Sequence, residues 1–425
     1  MTQRRLAIAL LFLIAASVVV ILGLNFVGPD RQVTEEIYHR YDLDSPQFRR
    51  EMGVLLGPSV VDGNLISDLQ NGTEIFPAML AAIASAEETI TFETFVYWSG
   101  DIGRQFAEAL AERARDSVEV RVLVDWAGAQ KMDPASFDLM EAAGVEIHWY
   151  RPLEWYTLAR LNNRTHRKIL VVDGTVGFTG GVGIADEWDG DGDSPEEWRD
   201  AHFQVEGPVV AQLQAAFLDN WIETTGEILN GPAYFPPLDS VGTASAHVFT
   251  SSPAGGSDSM RLMYMMAIAA AEHTIDLAAA YFVPDGLLSD ALVAAQERGV
   301  RVRIVLPGEH MDSELVSISS KGTWGPLLEA GVLIAEFAPS MYHTKMLLVD
   351  GIFTSVGSTN FDIRSFELND EASLNIYDAT FAARMTEVFE ADLANAEPYS
   401  YEQWQNRPWT EKLAETLVRP LKSQL

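Results

Sequence analysis

The chain carries the same run of words twice, roughly 180 residues apart, and this duplication limits its possible folds more than any other feature. In the first copy, Ala86-Glu87-Glu88-Thr89-Ile90 joins an apolar helical pattern over 79–86 to a strand-like run over 89–97. In the second, Ala271-Glu272-His273-Thr274-Ile275 joins 263–271 to 274–282 in the same way. Each copy continues with a helix (103–115; 287–298), an apolar strand (118–124; 300–306) and an Ala-Gly-Val turn into a further strand (143–145; 330–332). Strands alternating with helices of this length predict a mostly parallel sheet in each copy. The period is far too long for a solenoid, so the reading is a duplicated α/β domain. The stretch 234–242, punctuated by proline and glycine, is the natural linker and divides the chain into domains over 33–240 and 241–425. A site built from matching residues of both would lie where they meet.

The copies agree most closely where they are most polar. The first reads His166-Arg167-Lys168, four apolar residues, Asp173, then Gly180-Gly181; the second reads His343-Thr344-Lys345, four apolar residues, Asp350, then Gly357-Ser358-Thr359-Asn360. In a strand, residues two apart share a face, so each histidine is expected beside its lysine on a strand. Paired His and Lys suit an anionic phosphodiester, which resists nucleophiles. Two ammonium groups can hold its non-bridging oxygens in place of a metal ion, one imidazole can attack phosphorus, and the other can move the proton. The glycines and Ser358 would let backbone and hydroxyl groups approach a phosphate.

Charge and hydropathy narrow the substrate. With 61 Asp+Glu against 29 Lys+Arg the formal net charge is −32, which would repel a polyanion over most of the surface and argues against nucleic acid as a partner. There is no cysteine, which excludes thiol catalysis, disulfides and thiolate metal sites. From Leu6 to Val27 the chain is apolar apart from Ser17 and Asn25, long enough as a helix (about 33 Å) for a bilayer core. The run is longer than a signal-peptide core and Leu24-Asn25-Phe26-Val27 offers no small-residue cleavage site, so residues 1–32 are read as an uncleaved membrane anchor. Arg4 and Arg5 before it, with only Arg31 close behind among Asp30, Glu35 and Glu36, predict a cytoplasmic N-terminus and an extracytoplasmic catalytic part.

The repeated motifs resemble the duplicated HKD motifs of the phospholipase D superfamily, and their flanks resemble its bacterial cardiolipin synthase branch. The flanks are Asn163-Arg164-Thr165-His166-Arg167-Lys168, Phe178-Thr179-Gly180-Gly181-Val182, Trp198-Arg199-Asp200-Ala201-His202 with Glu206-Gly207-Pro208, Tyr281-Phe282-Val283-Pro284-Asp285, and Gly357-Ser358-Thr359-Asn360-Phe361-Asp362-Ile363-Arg364-Ser365-Phe366 with Leu368-Asn369-Asp370-Glu371. The likeness runs over roughly residues 53–390. It implies two similar phospholipase D-type α/β/α domains packed pseudo-symmetrically behind the N-terminal transmembrane helix. The implied activity is transfer of a phosphatidyl group from phosphatidylglycerol through a phosphohistidine, with no cofactor and no metal ion. By the same resemblance His166 is the nucleophile and His343 the general acid. Lys168, Asp173, Lys345 and Asp350 complete the catalytic set, Asp200 and Glu371 orient the histidines, and Gly181, Ser358 and Asn360 bind phosphate. One departure stands out: Gly183 occupies a place where the family often has asparagine, which leaves ligand geometry on that side open.

Three further features are weaker. Asp189-Gly190-Asp191-Gly192-Asp193 has the spacing of a calcium loop at its start, but Ser194, Pro195 and Asp200 fill the wrong positions, and a solvated insertion is expected. Trp149, Tyr150, Trp155 and Tyr156, interleaved with Arg151, Arg160 and Arg164, are either core or an interfacial rim. Glu93 and Tyr281 sit at matching strand ends and either line the pocket or support it. A phospholipase D hydrolase, a nuclease and a non-catalytic lipid binder remain as rival functions; the acceptor pocket, not the motifs, separates the first from a transferase.

Overall fold

The structure, a computed structural model, describes residues 3–23, 33–154, 162–252 and 259–424. Arg31, Trp155, Tyr156 and Arg160, and the junction over 24–32, lie outside the described residues. Gln3–Gly23 forms one helix with Ile8, Leu10, Leu11, Phe12 and Leu13 exposed. Among the described residues, no helix is long and apolar enough to cross a membrane.

Local chemistry sets the expected elements close to their expected bounds. Asp101–Arg115 buries Ile102, Gly103, Phe106, Ala107, Leu110 and Ala111 and leaves Arg104 and Glu108 outside, the stripe of a helix lying on a sheet. Pro134–Ala143 starts on Asp133, whose carboxylate accepts the Ala135 N–H, and stops at Gly144, where φ is +96°. Thr89–Thr94 is buried along its whole length, as a central strand covered on both faces must be.

The predicted mostly parallel sheet is instead mixed. Thr89–Thr94, Glu119–Asp125 and Glu146–Tyr150 are parallel, as are Thr274–Ala278, Arg301–Pro307 and Leu333–Phe337. The strands that follow the His-x-Lys motifs, Ile169–Val172 and Met346–Val349, run antiparallel to their neighbours on both sides. The reason is the connection. Only Asp173, Gly174 and Thr175 lead from Ile169–Val172 to Val176–Gly180, and a parallel return needs about a dozen residues.

The two halves share one sheet. Val61–Gln70 pairs with Ala201–Glu206 on one edge and with Ala244–Ser251 on the other, and Ala244–Ser251 pairs with Asn369–Tyr377. Apart from an added edge strand, Ala396–Tyr399, beside Leu333–Phe337, strand order outward from this seam is the same in both directions, which makes the halves pseudo-symmetric. Two short parallel ladders also cross between them. Arg164-Thr165 pairs with Asn369-Asp370, and Met341-Tyr342 pairs with Trp198-Arg199. The second ladder is braced by Arg199, whose guanidinium meets Asp392 of Ala379–Ala394 at 2.8 and 3.1 Å, while the Tyr342 hydroxyl donates to the same carboxylate at 2.9 Å. All three side chains are buried.

Arg199→Ala would strand the buried Asp392 charge. The expected cost is about 3–5 kcal/mol of stability, measured by urea unfolding of the purified chain; a loss under about 1 kcal/mol would show the brace to be incidental.

Candidate active site

The ladders decide which side chains meet. Each strand-like motif start ends one residue before its histidine, and His166 and His343 lie in extended segments between strands rather than within a strand. The His166 N–H donates to Asp370 O at 2.8 Å and the His343 N–H to Arg199 O at 2.7 Å, so each histidine is held beside the next residue of the opposite half. That residue is a carboxylate. His166 Nδ1 lies 3.0 Å from both oxygens of Glu371, and His343 Nδ1 lies 2.6 Å from Asp200 Oδ2. Each half thus supplies the histidine of one pair and the carboxylate of the other.

The carboxylates are themselves held. Glu371 accepts from Ser358 Oγ at 2.6 Å, Ser365 Oγ at 2.8 Å and Asn369 Nδ2 at 3.3 Å. Asp200 accepts from the Trp188 indole at 2.9 Å and the Ala201 N–H at 2.8 Å. Lys168 donates to its own histidine's carbonyl at 2.9 Å, and Lys345 Nζ lies 3.0 Å and 3.2 Å from the ring nitrogens of His343. Aromatic edges close the walls: Phe95 against His166 at 5.3 Å, and Trp188, Trp198 and Tyr281 against His343 at 5.3, 5.1 and 6.1 Å between ring centres.

Burial dominates the electrostatics. It depresses His166 to about 4 against the pull of Glu371, with Lys168 adding to the depression; it depresses His343 to about 3, with Lys345 adding and Asp200 opposing. Lys168 falls to about 7 through burial and then through the charge of Lys345, which places the two ammonium groups within each other's field; Lys345 falls to about 8, again through burial. Burial would raise Asp200 and Glu371, but the interaction of each with its histidine, His343 and His166, and then with Lys345 and Lys168, outweighs it, and both are held below the usual carboxylate range. Such a site has two carboxylates that stay ionised, two imidazoles neutral at rest and two ammoniums close to losing their protons. An arriving phosphodiester would meet positive charge and a free imidazole Nε2.

His166, Lys168, His343, Lys345, Asp200, Glu371 and Ser358 are therefore brought together. Asp173 and Asp350 are not. Each lies past the far end of its strand, separated from its histidine by about 13 Å of strand. There Asp173 accepts the N–H groups of Glu87, Glu88 and Thr89 at 2.8–2.9 Å, and Asp350 those of Glu272, His273 and Thr274 at 2.7–2.8 Å. Both tie the repeated joint before the central strand, away from the histidines with which the sequence reading grouped them. Gly181 leaves room for the Asp200 carboxylate, which an added Cβ would strike. The Ser358 hydroxyl is occupied by Glu371, while Asn360 Oδ1 is buried with no protein partner among the described residues.

Gly183 now has a physical account. A Cβ there would lie 2.7 Å from Val96 Cβ and 3.1 Å from the Trp188 ring. Trp188 occupies the same place in the first half that Ser365 occupies in the second, and both donate to the histidine-orienting carboxylate. The larger residue leaves no space for an asparagine. Trp188 and Ser365 were the site residues that motif reading missed; their equal offset of eight from Gly180 and Gly357 was the available signal.

Glu93 is fully buried under Thr165 and Asn220, which donate to it at 2.6 and 2.7 Å, so it supports the site from below; burial pushes it up to about 7. Tyr150 is buried and donates to Asp370 at 2.7 Å, and Trp149 stacks on Phe137, so these two aromatics are packing residues. The acidic loop is not a loose insertion. Glu197 Oε2 accepts N–H groups of Asp191, Gly192 and Asp193, and the Gly192 carbonyl receives the Ser340 hydroxyl of the other half.

Comparison with known proteins bears on this geometry. The model of the cardiolipin synthase, phospholipase D-like domain family matches residues 79–190 and 264–393, one stretch in each half. The chain belongs to that family. A cardiolipin synthase of Geobacillus kaustophilus is 36% identical over 356 residues, covering 83% of this chain and 71% of that protein. A probable cardiolipin synthase of Bacillus subtilis is 33% identical over the same shares. The fold is also that of the phosphatidylserine synthase of Haemophilus influenzae, with a TM-score of 0.68 at 14% identity over 89% of this chain and 99% of that one. For this cardiolipin synthase family member, the duplicated mixed α/β layout and the paired motifs are thus found together.

Asp350→Ala tests the reassigned carboxylate. Freeing three N–H groups is expected to cost about 2–3 kcal/mol in urea unfolding, with turnover per folded molecule within about threefold of the parent. A collapse of turnover at unchanged stability would return Asp350 to the chemistry.

Proposed function

We propose that this chain is a cardiolipin synthase-type phosphatidyltransferase that joins two phosphatidylglycerol molecules. The observation that carries the reading is the cross-half pairing of two histidines with two carboxylates beside two buried lysines. With Nδ1 of His166 committed to Glu371, Nε2 is the nucleophile and attacks phosphorus. The departing glycerol oxygen takes a proton from His343, and the phosphatidyl group stays on His166. In the second half-reaction, His343 removes the proton of an incoming hydroxyl; the new P–O bond forms as the P–N bond breaks. Lys168 and Lys345 neutralise the added charge on the non-bridging oxygens. His343 is neutral in the empty site, and the negative charge of a bound phosphodiester favours its protonated form, so substrate binding itself prepares the acid.

A membrane setting fits the exposed apolar helix Gln3–Gly23, which would hold the enzyme at the surface where its substrates reside. We read the longer apolar run from Leu6 to Val27, which continues past this helix beyond the described residues, as a single-pass anchor within residues 1–32, with Arg4 and Arg5 on the cytoplasmic side and the catalytic part outside.

Incubation of the full chain with phosphatidylglycerol in detergent, followed by mass spectrometry, is expected to yield cardiolipin and glycerol. Phosphatidic acid as the main product would make the enzyme a hydrolase. Acid-quenched labelling with an activated phosphodiester should place the label on His166, and His166→Ala should abolish it; label on His343 would reverse the two roles.

The pH profile follows from the shifts. His166 must be neutral, so activity should fall with acid as pH passes down through about 4. The lysines must be cationic, so kcat/KM should fall with alkali from about pH 7 to 8. An alkaline limb unchanged in Lys345→Arg, whose side chain keeps its proton, would show that the limb is not set by Lys345.

A further inference from the structure

The pseudo-symmetry of the site breaks at one point that the chemistry above does not use. The Ile184 N–H donates to Val96 O at 3.0 Å in the first half, and the Phe361 N–H donates to Tyr281 O at 3.1 Å in the second. These bonds hold equal places, so Tyr281 stands where the first half has Val96. Val96 is buried and apolar, whereas Tyr281 is half-buried, turns its ring edge to His343, and donates its hydroxyl to Asp312 Oδ2 at 2.7 Å. Asp312 lies on the loop after Arg301–Pro307, at the exposed rim, and it acts on Lys345 electrostatically.

We propose that Tyr281 and Asp312 form the subsite for the acceptor alcohol, and that they select an alcohol carrying a second hydroxyl beside the attacking one. This rests on the phosphatidyltransferase reading and deepens it. The attacking hydroxyl gives its proton to His343 and bonds to phosphorus as the His166 P–N bond breaks. The neighbouring hydroxyl donates to Asp312 or to the Tyr281 oxygen, whose own proton already points at Asp312. Water has no second hydroxyl and gains nothing from this pair, so the subsite favours transfer over hydrolysis. A carboxylate suits the subsite because it accepts from hydroxyls but repels a phosphate, which keeps the donor's phosphodiester at the lysines. The apolar Val96 at the equal place offers no such contact, so only the His343 side can hold a diol.

The test is a partition ratio, which does not depend on how much of a variant is folded. Full-length protein and the variants Asp312→Asn and Tyr281→Phe are given phosphatidylglycerol in detergent, and cardiolipin and phosphatidic acid are quantified together. A second arm offers glycerol against 1-propanol as competing acceptors. The expected result is a fall of about tenfold or more in the ratio of cardiolipin to phosphatidic acid for Asp312→Asn, a smaller fall for Tyr281→Phe, and loss of the preference for glycerol over 1-propanol in both. Ratios equal to those of the parent, with cardiolipin still formed, would overturn the subsite alone. Absence of cardiolipin from the unmodified protein would overturn the transferase reading, and the subsite with it.

Discussion

Two short parallel ladders, each of two residues from either half, are what the site depends on. They place His166 opposite Glu371 and His343 opposite Asp200, so neither half holds a complete histidine–carboxylate pair of its own. The shared sheet fixes the distance between the halves, but the ladders fix register, and a slip of one residue would put Asp370 or Ala372 where Glu371 must stand. This explains why Arg199 is buried in a network with Asp392 and Tyr342: it sets the register of His343 through backbone.

The same arrangement reconciles a chain of charge −32 with an anionic substrate. Exposed charges act over about 8 Å at physiological salt, whereas the buried lysines act in a medium that screens them far less. The surface can therefore repel polyanions while the pocket attracts one phosphodiester. Burial also keeps both lysines near the point of losing their protons, and the negative charge of an arriving phosphodiester favours their ammonium forms.

Much of this was legible in the chain. Duplication announced two matching halves, and the repeated His-x-Lys words marked the chemistry, because paired imidazole and ammonium groups suit an anionic phosphodiester. The sheet's direction was not legible: the alternation of strands and helices after 89 and 274 speaks of parallel pairing, and only the three-residue turns at Asp173 and Asp350 carry the reversal. The placement of those aspartates was not legible either. Their fixed distance from the histidines reflects the length of one buried strand, with a clamp at one end and a histidine at the other, and spacing alone cannot separate the two kinds of constraint. Trp188 and Ser365 escaped because their residue types differ, although their places and hydrogen bonds are the same.

That difference shows how a symmetric frame comes to run an asymmetric reaction. Attack on phosphorus and proton transfer need imidazoles with different surroundings, yet duplication starts them alike. The machinery that orients each ring is shared between the halves in geometry, a carboxylate on Nδ1 and a donor behind it, since both roles need the same tautomer. Divergence falls on what surrounds the ring instead. His343 lies among Trp188, Trp198 and Tyr281, whereas His166 meets Phe95 alone among the ring contacts of the described residues; both lysines donate to their own histidine's carbonyl, but Lys345 also lies against the ring nitrogens of His343. A cation against an imidazole disfavours its protonated form until an anion arrives between them, which suits a group that must hold a proton only while substrate is present. An imidazole with no lysine against its ring nitrogens keeps its lone pair available, which suits the group that must attack first.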